Sequence, residues 1–371
     1  MNKDMKKISV STAVIAALIA VIVGSSGFAA YKYLGTDRSM VGKEADRLGA
    51  DPTMHSSQND NVNVMLTRPA DWRQIASEKL LLREDFAGID GSTATIPITA
   101  ELARQFCGAS DTLHYYDKKN IHSYVSHNTT GTAYENLIFG RSNRIEAYDE
   151  LNKKWDNIEK PVRLVFATPP SEDEYSTAKS HRVTLEAEPI ALDGFVFINH
   201  KDNPVDSLTV QQIKDIYSGK ITNWKDVGGR DEKIRAFQRT KNSGSQTAME
   251  ELVMQGEPMA EAPIAFVSAE MGALVESVAE YENESAAIGY TYYYYINNLY
   301  KNPDIKVINI DGISPENENL VSGSYPFTAA YYAVIRGDEP QDSVYRRVRD
   351  YMLSDEGQEI IRLAGYCPVK G

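Results

Sequence analysis

From about residue 70 onward the chain switches repeatedly between two hydrophobic periods, and this alternation restricts its fold more than any other feature. Residues 162–167 (VRLVFA), 190–199 (IALDGFVFIN), 233–239, 286–294, 306–310 and 328–335 read as strands. Helical signals lie between them. Ile98, Leu102 and Phe106 recur at i, i+4 and i+8, with Pro97 in the first turn. Thr209 and Gln212 form a capping-box pattern, Val210, Ile213 and Tyr217 share a face, and Gly219 stops that helix. Met249, Leu252 and Val253 mark another helix, and Met271, Leu274, Val275 and Val278 mark one more. A last helix begins at Ser354 and runs to about Ala364. Strands alternating with helices predict an α/β fold. With 371 residues the chain exceeds one ordinary core and suits two lobes of roughly 100–150 residues each.

The N-terminus is a separate unit. Lys3, Lys6 and Lys7 precede an uncharged, Ala/Val/Ile-rich run that ends at Ala30. Two readings stay open for residues 1–30. They form a secretory signal cleaved near Gly27-Phe28-Ala29, or an uncleaved membrane anchor with the lysines on the cytoplasmic side. Residues 31–74 form a polar linker that holds the rest away from the membrane. An exported chain with two cysteines, Cys107 and Cys367, admits one disulfide or two buried thiols.

The formal net charge of −13 argues against a nucleic-acid partner. It does not exclude an anionic ligand, provided the site is local and built from aimed N–H groups and one or two arginines. Two stretches have that composition. Asp90-Gly91-Ser92-Thr93-Ala94-Thr95 leads into a helix, where free backbone N–H groups converge and Ser92, Thr93 and Thr95 add hydroxyl donors. The second, Arg239-Thr240-Lys241-Asn242-Ser243-Gly244-Ser245, joins a strand to a helix. There the Arg239 guanidinium fork would sit beside Ser243, Gly244 and Ser245, and Gly244 lets the backbone approach a ligand closely. One such loop per lobe makes a two-sided clamp for a tetrahedral oxyanion.

A third stretch, Thr168-Pro169-Pro170-Ser171-Glu172-Asp173-Glu174, follows a strand at the end where open α/β sheets bind ligands. Ser171 is a candidate donor. Glu172 or Asp173 is a candidate acceptor for the proton of hydrogen phosphate, a proton that sulfate lacks. Signals for catalysis are weak. Histidines 55, 114, 122, 127, 181 and 200 make no zinc-type pair around a glutamate, and there is no nucleophile elbow, Cys-x-x-Cys or nucleotide-binding glycine loop. No enzyme activity, metal or cofactor is expected.

These residues resemble the phosphate-type solute-binding proteins of ABC transporters in their Gram-positive form, over about residues 75–371. The resemblance rests on DGSTATIPITAELARQF (90–106), AYENLIFGRSNRI (133–145), LVFATPPSEDE (164–174) and EPIALDGFVFINHKDNPVDSLTVQQIKDIYSGKITNWKDVGG (188–229). It continues through QRTKNSGSQTAMEEL (238–252), AIGYTYYYY (287–295), YPFTAAYYAVIR (325–336) and the ending GYCPVKG. It implies a two-lobe periplasmic-binding-protein-like fold of type II with two hinge crossings, near 187–191 and 288–292. Lobe 1 would hold 75–188 plus 291–371, and lobe 2 would hold 189–290. The implied role is capture of phosphate or a similar oxyanion for ABC permease subunits, as a monomer on the outer face of the membrane or secreted. The alternative on the same fold is an anchored anion sensor or scavenger. The family's anion contacts carry over to Ser92, Thr93, Arg239, Ser243, Gly244 and Ser245, and further to Thr95 and Ser171. The chain departs from the family at Ala94, in the TPPSEDE loop, at Cys367 and in having no cysteine for lipidation.

Overall fold

A computed structural model describes residues 68–110, 121–149, 152–268, 271–281 and 286–369. The apolar segment 1–30 and nearly all of the linker lie outside the described residues. Among those described, no helix is long and apolar enough to cross a membrane.

The first half starts with β1 (Ile89–Gly91) and α1 (Ile96–Cys107). Pro in its first turn starts α1, and Gly108 ends it in the left-handed region at φ 64°. Next come α2 (Thr130–Phe139), the hairpin β2 (Ser142–Asp149) and β3 (Lys154–Pro161), then β4 (Leu164–Ala167) and α3 (Glu172–Ser180). β4 is buried throughout and pairs in parallel with β1. Val162, Val165 and Ala167 pack on Ala133, Tyr134 and Leu137 of α2 to form one core.

β5 (Leu185–His200) then runs across the molecule. The second half contains β6 (Ser207–Leu208), α4 (Val210–Tyr217), β7 (Arg235–Ala236), β8 (Gln238–Arg239) and α5 (Gly244–Ala248). α5 widens into a π-helical run, Met249–Met254. β9 (Val267–Ser268), α6 (Met271–Ala279), β10 (Ala287–Tyr292) and β11 (Ile305–Ile310) follow. The chain ends with α7 (Asn317–Val321), β12 (Thr328–Arg336), α8 (Val344–Tyr351), α9 (Asp355–Leu363) and β13 (Cys367–Pro368). The capping box expected at Thr209 and Gln212 starts α4, and Ser354 caps α9.

The main sheet runs β1-β4-β12-β5-β10-β7. β5 changes partner along its length. Its first part, Leu185 to Gly194, pairs with β12, and its second part, Phe195 to Asn199, pairs with β10. β11 lies along the other side of that second part and continues onto β6. The core of the second half is aromatic. Phe195, Phe197, Tyr217, Tyr290 and Tyr292 meet edge to face or tilted, with centroids 5.5–6.3 Å apart. This mixed α/β architecture is the two-lobe type II fold expected from the sequence.

Of the two readings open for the cysteines, the structure has the thiols and not the disulfide. Cys107 and Cys367 are both free thiols. Cys107 closes α1 with its Sγ 3.7 Å from the Leu81 carbonyl, whereas Cys367 sits in β13 with its Sγ 4.0 Å from the Asn317 carbonyl. Each sulfur packs against a different carbonyl, and burial pushes both thiols up to about 11, so neither is a ready thiolate.

Candidate functional site

The loop after β1 is held by buried polar groups. The Asp90 carboxylate accepts from Gly91 N (2.7 Å), Asn128 N (2.9 Å), Asn128 Nδ2 (2.8 Å) and Asn136 Nδ2 (3.0 Å). A fully buried carboxylate is tolerable because four donors surround it. These bonds tie the Ser92 loop to the start of α2. His127 braces the same loop, with Nδ1 2.9 Å from Ser92 O and Nε2 2.9 Å from Thr99 Oγ1. A carbonyl only accepts, so Nδ1 carries the proton and Nε2 accepts from Thr99. Burial lowers the His127 pKa and keeps the ring neutral.

Ser92 caps a single turn of 3-10 helix, Thr93–Thr95, and its N–H donates to Phe166 O at 3.0 Å. The one hydroxyl hydrogen of Thr95 lies within reach of the carbonyls of Phe166 (2.6 Å) and Ser92 (2.9 Å). Thr95 therefore anchors the loop to β4, and Ser92 and the half-buried Thr93 remain the hydroxyls at its tip.

Arg239 ends β8 and is only 7% exposed. Its Nε donates to Ser268 O (3.1 Å), its Nη1 to Ser245 Oγ (2.9 Å), and its backbone N to Tyr290 Oη (2.9 Å). The guanidinium is thus pre-positioned beside the turn that opens α5. Ser243 caps that turn by accepting from Gln246 N, and Tyr292 Oη donates to Gly244 O at 3.0 Å.

The two halves meet at Gly244. A Cβ built there would lie 2.7 Å from both Thr130 Oγ1 and Thr168 Oγ1. Gly131 makes the reciprocal approach, since its Cβ would sit 3.3 Å from Asn242 O. Lys241 Nζ reaches Asp173 Oδ2 at 2.6 Å across the same junction. Thr168 follows directly after Phe166 and Ala167 in β4, so the Ser92 loop, Thr168 and the Gly244 turn share one place. Thr168 Oγ1 is buried there, beside the Tyr292 hydroxyl.

Ser171, a candidate donor in the sequence, stands at the start of α3. It caps α3 in a full capping box with Glu174, whose Oε2 accepts from Ser171 N (2.7 Å) and Oγ (3.0 Å). Its hydroxyl hydrogen is committed to that carboxylate. Asp173 is exposed and paired, and Lys241 holds its carboxyl below the usual range. The buried carboxylate is Glu174, which burial pushes up to about 7 against the opposing bonds from Ser171.

Sequence reasoning missed Thr130, Thr168 and Glu174. The signal for Thr130 was a third hydroxyl-and-glycine junction, Asn128-Thr129-Thr130-Gly131-Thr132, of the same kind as the other two. Thr168 was the first residue beyond a buried strand. Among the described residues no group of three or more His, Cys, Asp and Glu could hold a metal ion.

Comparison with known proteins bears on this arrangement. The model of the PBP superfamily domain matches residues 88–356. The phosphate-binding protein PstS of Bacillus subtilis is 27% identical over 181 residues, 48% of this chain and 56% of that protein. The match spans little more than half of that relative's length. PstS of Staphylococcus saprophyticus is 26% identical over 278 residues, 72% of this chain and 76% of that protein. A Clostridium perfringens structure, described as a phosphate ABC transporter substrate-binding protein with bound phosphate, is similar at a TM-score of 0.56. It is 26% identical, and the match covers 76% of this chain and 98% of that one. With a family model matched from β1 to α9, this chain belongs to the PBP superfamily.

Proposed function

We propose that this chain is an extracytoplasmic solute-binding protein that captures phosphate and hands it to an ABC permease. One observation carries the reading. The Gly244 turn, with Arg239 fixed behind it, packs on the hydroxyls of Thr130 and Thr168 of the opposite half. Hydroxyls, a guanidinium and a small-residue turn at one junction favour a ligand that supplies acceptor oxygens. A tetrahedral oxyanion does so while meeting the guanidinium and the N–H groups of the turn. The relatives named above, two called phosphate-binding and one solved with phosphate, support phosphate as that anion.

In this reading Ser92, Thr93, Thr130 and Thr168 face the ligand from one lobe, and Arg239, Ser243, Gly244 and Ser245 face it from the other. Thr95 and Ser171 support the two loops of the first lobe. The lobes are 75–188 with the C-terminal part, and 189–290. The pairing of β11 with β6 supports adding 291–310 to the second lobe. The ligand touches both lobes only when they are closed, so binding shifts the population toward closure. The protein acts as a monomer, and residues 1–30 and 31–74 hold or deliver it at the outer face of the membrane.

Arg239→Ala tests the site. Removing a charge-assisted contact of about 1.5–3 kcal/mol lowers phosphate affinity by about tenfold or more. Circular dichroism should still show a folded protein. Unchanged affinity in a folded Arg239→Ala protein would remove Arg239 from the site.

A further inference from the structure

We propose that Tyr366, Tyr331 and Tyr292 form a positioning device that sets the spacing between the Ser92 loop and the Gly244 turn, acting through backbone carbonyls and Asp193 rather than on the ligand. This deepens the reading above and rests on it. Each end of the series holds one of the two segments. Tyr366 Oη donates to the carbonyl of Ala94, in the single turn that follows Ser92. Tyr292 Oη donates to Gly244 O at 3.0 Å, in the turn beside Arg239, and that hydroxyl also meets Thr168 of the opposite half. A trans peptide group is planar, so a held carbonyl also fixes the N–H on its other side. Tyr366 thus orients the Ala94–Thr95 peptide, and Tyr292 orients the Gly244–Ser245 peptide.

Tyr331 joins the ends. Its ring centroid lies 5.4 Å from that of Tyr366 and 5.4 Å from that of Tyr292. All three side chains are at most 2% exposed. Close-packed rings of this kind transmit a displacement instead of absorbing it, because no void lies between them to take it up.

The middle of the series is fixed where the chain passes between the halves. Tyr331 Oη donates to Asp193 Oδ2. Asp193 Oδ1 accepts from Gly194 N, where the pairing of β5 with β12 ends, and from Tyr294 N, just beyond β10. Tyr331, Asp193 and Tyr292 therefore stand on three neighbouring strands, β12, β5 and β10. Tyr366 is tied to the same place twice more. Its ring lies on that of Tyr294 with centroids 4.3 Å apart, and the next residue, Cys367, pairs with Leu192 of β5. A rotation of the halves about β5 then moves the rings and both held carbonyls together. Tyr325 offers a contrast. It is equally buried and donates to Phe195 O at 3.0 Å, but it holds neither anion-facing segment.

The test is a double-mutant cycle on phosphate affinity, read by titration calorimetry of the full-length chain in detergent. Tyrosine-to-phenylalanine changes remove one hydroxyl and keep the ring, so the packing survives, and melting curves confirm that each variant is folded. Tyr366→Phe and Tyr292→Phe should each weaken phosphate binding about fivefold. Two separate local supports would multiply to about 25-fold in the double variant, whereas one shared device leaves the double variant close to the single ones. Tyr331→Phe keeps both carbonyls held and frees Asp193, and it too should weaken binding about fivefold. Tyr325→Phe should lower the melting temperature and leave the affinity unchanged. A double variant at the full product overturns the proposal, and so does unchanged affinity in a folded Tyr331→Phe protein. Wild-type protein that binds no phosphate sinks the parent reading, and this inference with it.

Discussion

In the proposed reading, Gly244 is the residue on which closure turns. Its missing side chain lets the turn sit on two threonine hydroxyls, and an added Cβ would lie 2.7 Å from each. Both hydroxyls are carried on β-branched side chains that are stiff at χ1, so the turn itself would have to withdraw. Gly244→Ala should weaken phosphate binding by about tenfold or more, with a smaller effect on melting temperature. Calorimetry and thermal melting separate the two effects, and equal affinity would show that the lobes do not close on this contact. That Arg239, Ser243, Gly244 and Ser245 come together was legible in the sequence, because a guanidinium and a small-residue turn sat at a strand-to-helix junction. Glu174 was hidden by its neighbours. The Ser171/Glu174 spacing is a capping-box pattern, but a run of three acidic residues reads as a loop that offers any of them to a ligand. The fold buries Glu174 and leaves Asp173 in solvent.

At the scale of the element, β5 carries the connection between the halves, and Asp193 lies just before its change of partner. Its Oδ1 accepts from Gly194 N (2.8 Å) and Tyr294 N (3.1 Å), and its Oδ2 from Tyr331 Oη (3.1 Å). Burial outweighs these bonds and pushes the carboxyl up to about 7. A carboxyl raised on folding contributes stability that is full below its unfolded pKa and lost as pH rises through the folded value. Melting temperature should therefore fall between about pH 4 and about pH 7, with Glu174 adding the same sign. The Asp193 contribution is on the order of 4 kcal/mol at most. Asp193→Asn should flatten this slope, and an unchanged slope would remove Asp193 as its source. Strand limits were less legible than strand existence. Residues 190–199 were readable as apolar, whereas the first part of β5 carries Glu186, Glu188 and Pro189 and is held by pairing with β12 instead. α3 escaped the hydrophobic period because only Glu174 and Ala178 are buried on it. The hairpin of β2 and β3 escaped it because β3 is half-buried or exposed throughout.

For the whole molecule, the proposed capture of an anion has to work against a net charge of −13. The structure offers local means: a buried arginine, hydroxyl-bearing loops and a serine–glycine turn, all assembled where two halves meet. Long-range attraction contributes little under such a charge, so recognition depends on desolvated contacts formed at closure. The most direct measurement is titration calorimetry of the full-length chain with phosphate, arsenate and sulfate near pH 8. The account predicts saturable, one-to-one binding of phosphate and arsenate with no detectable sulfate binding. Heat from sulfate equal to that from phosphate, or no heat from any of the three, would contradict it.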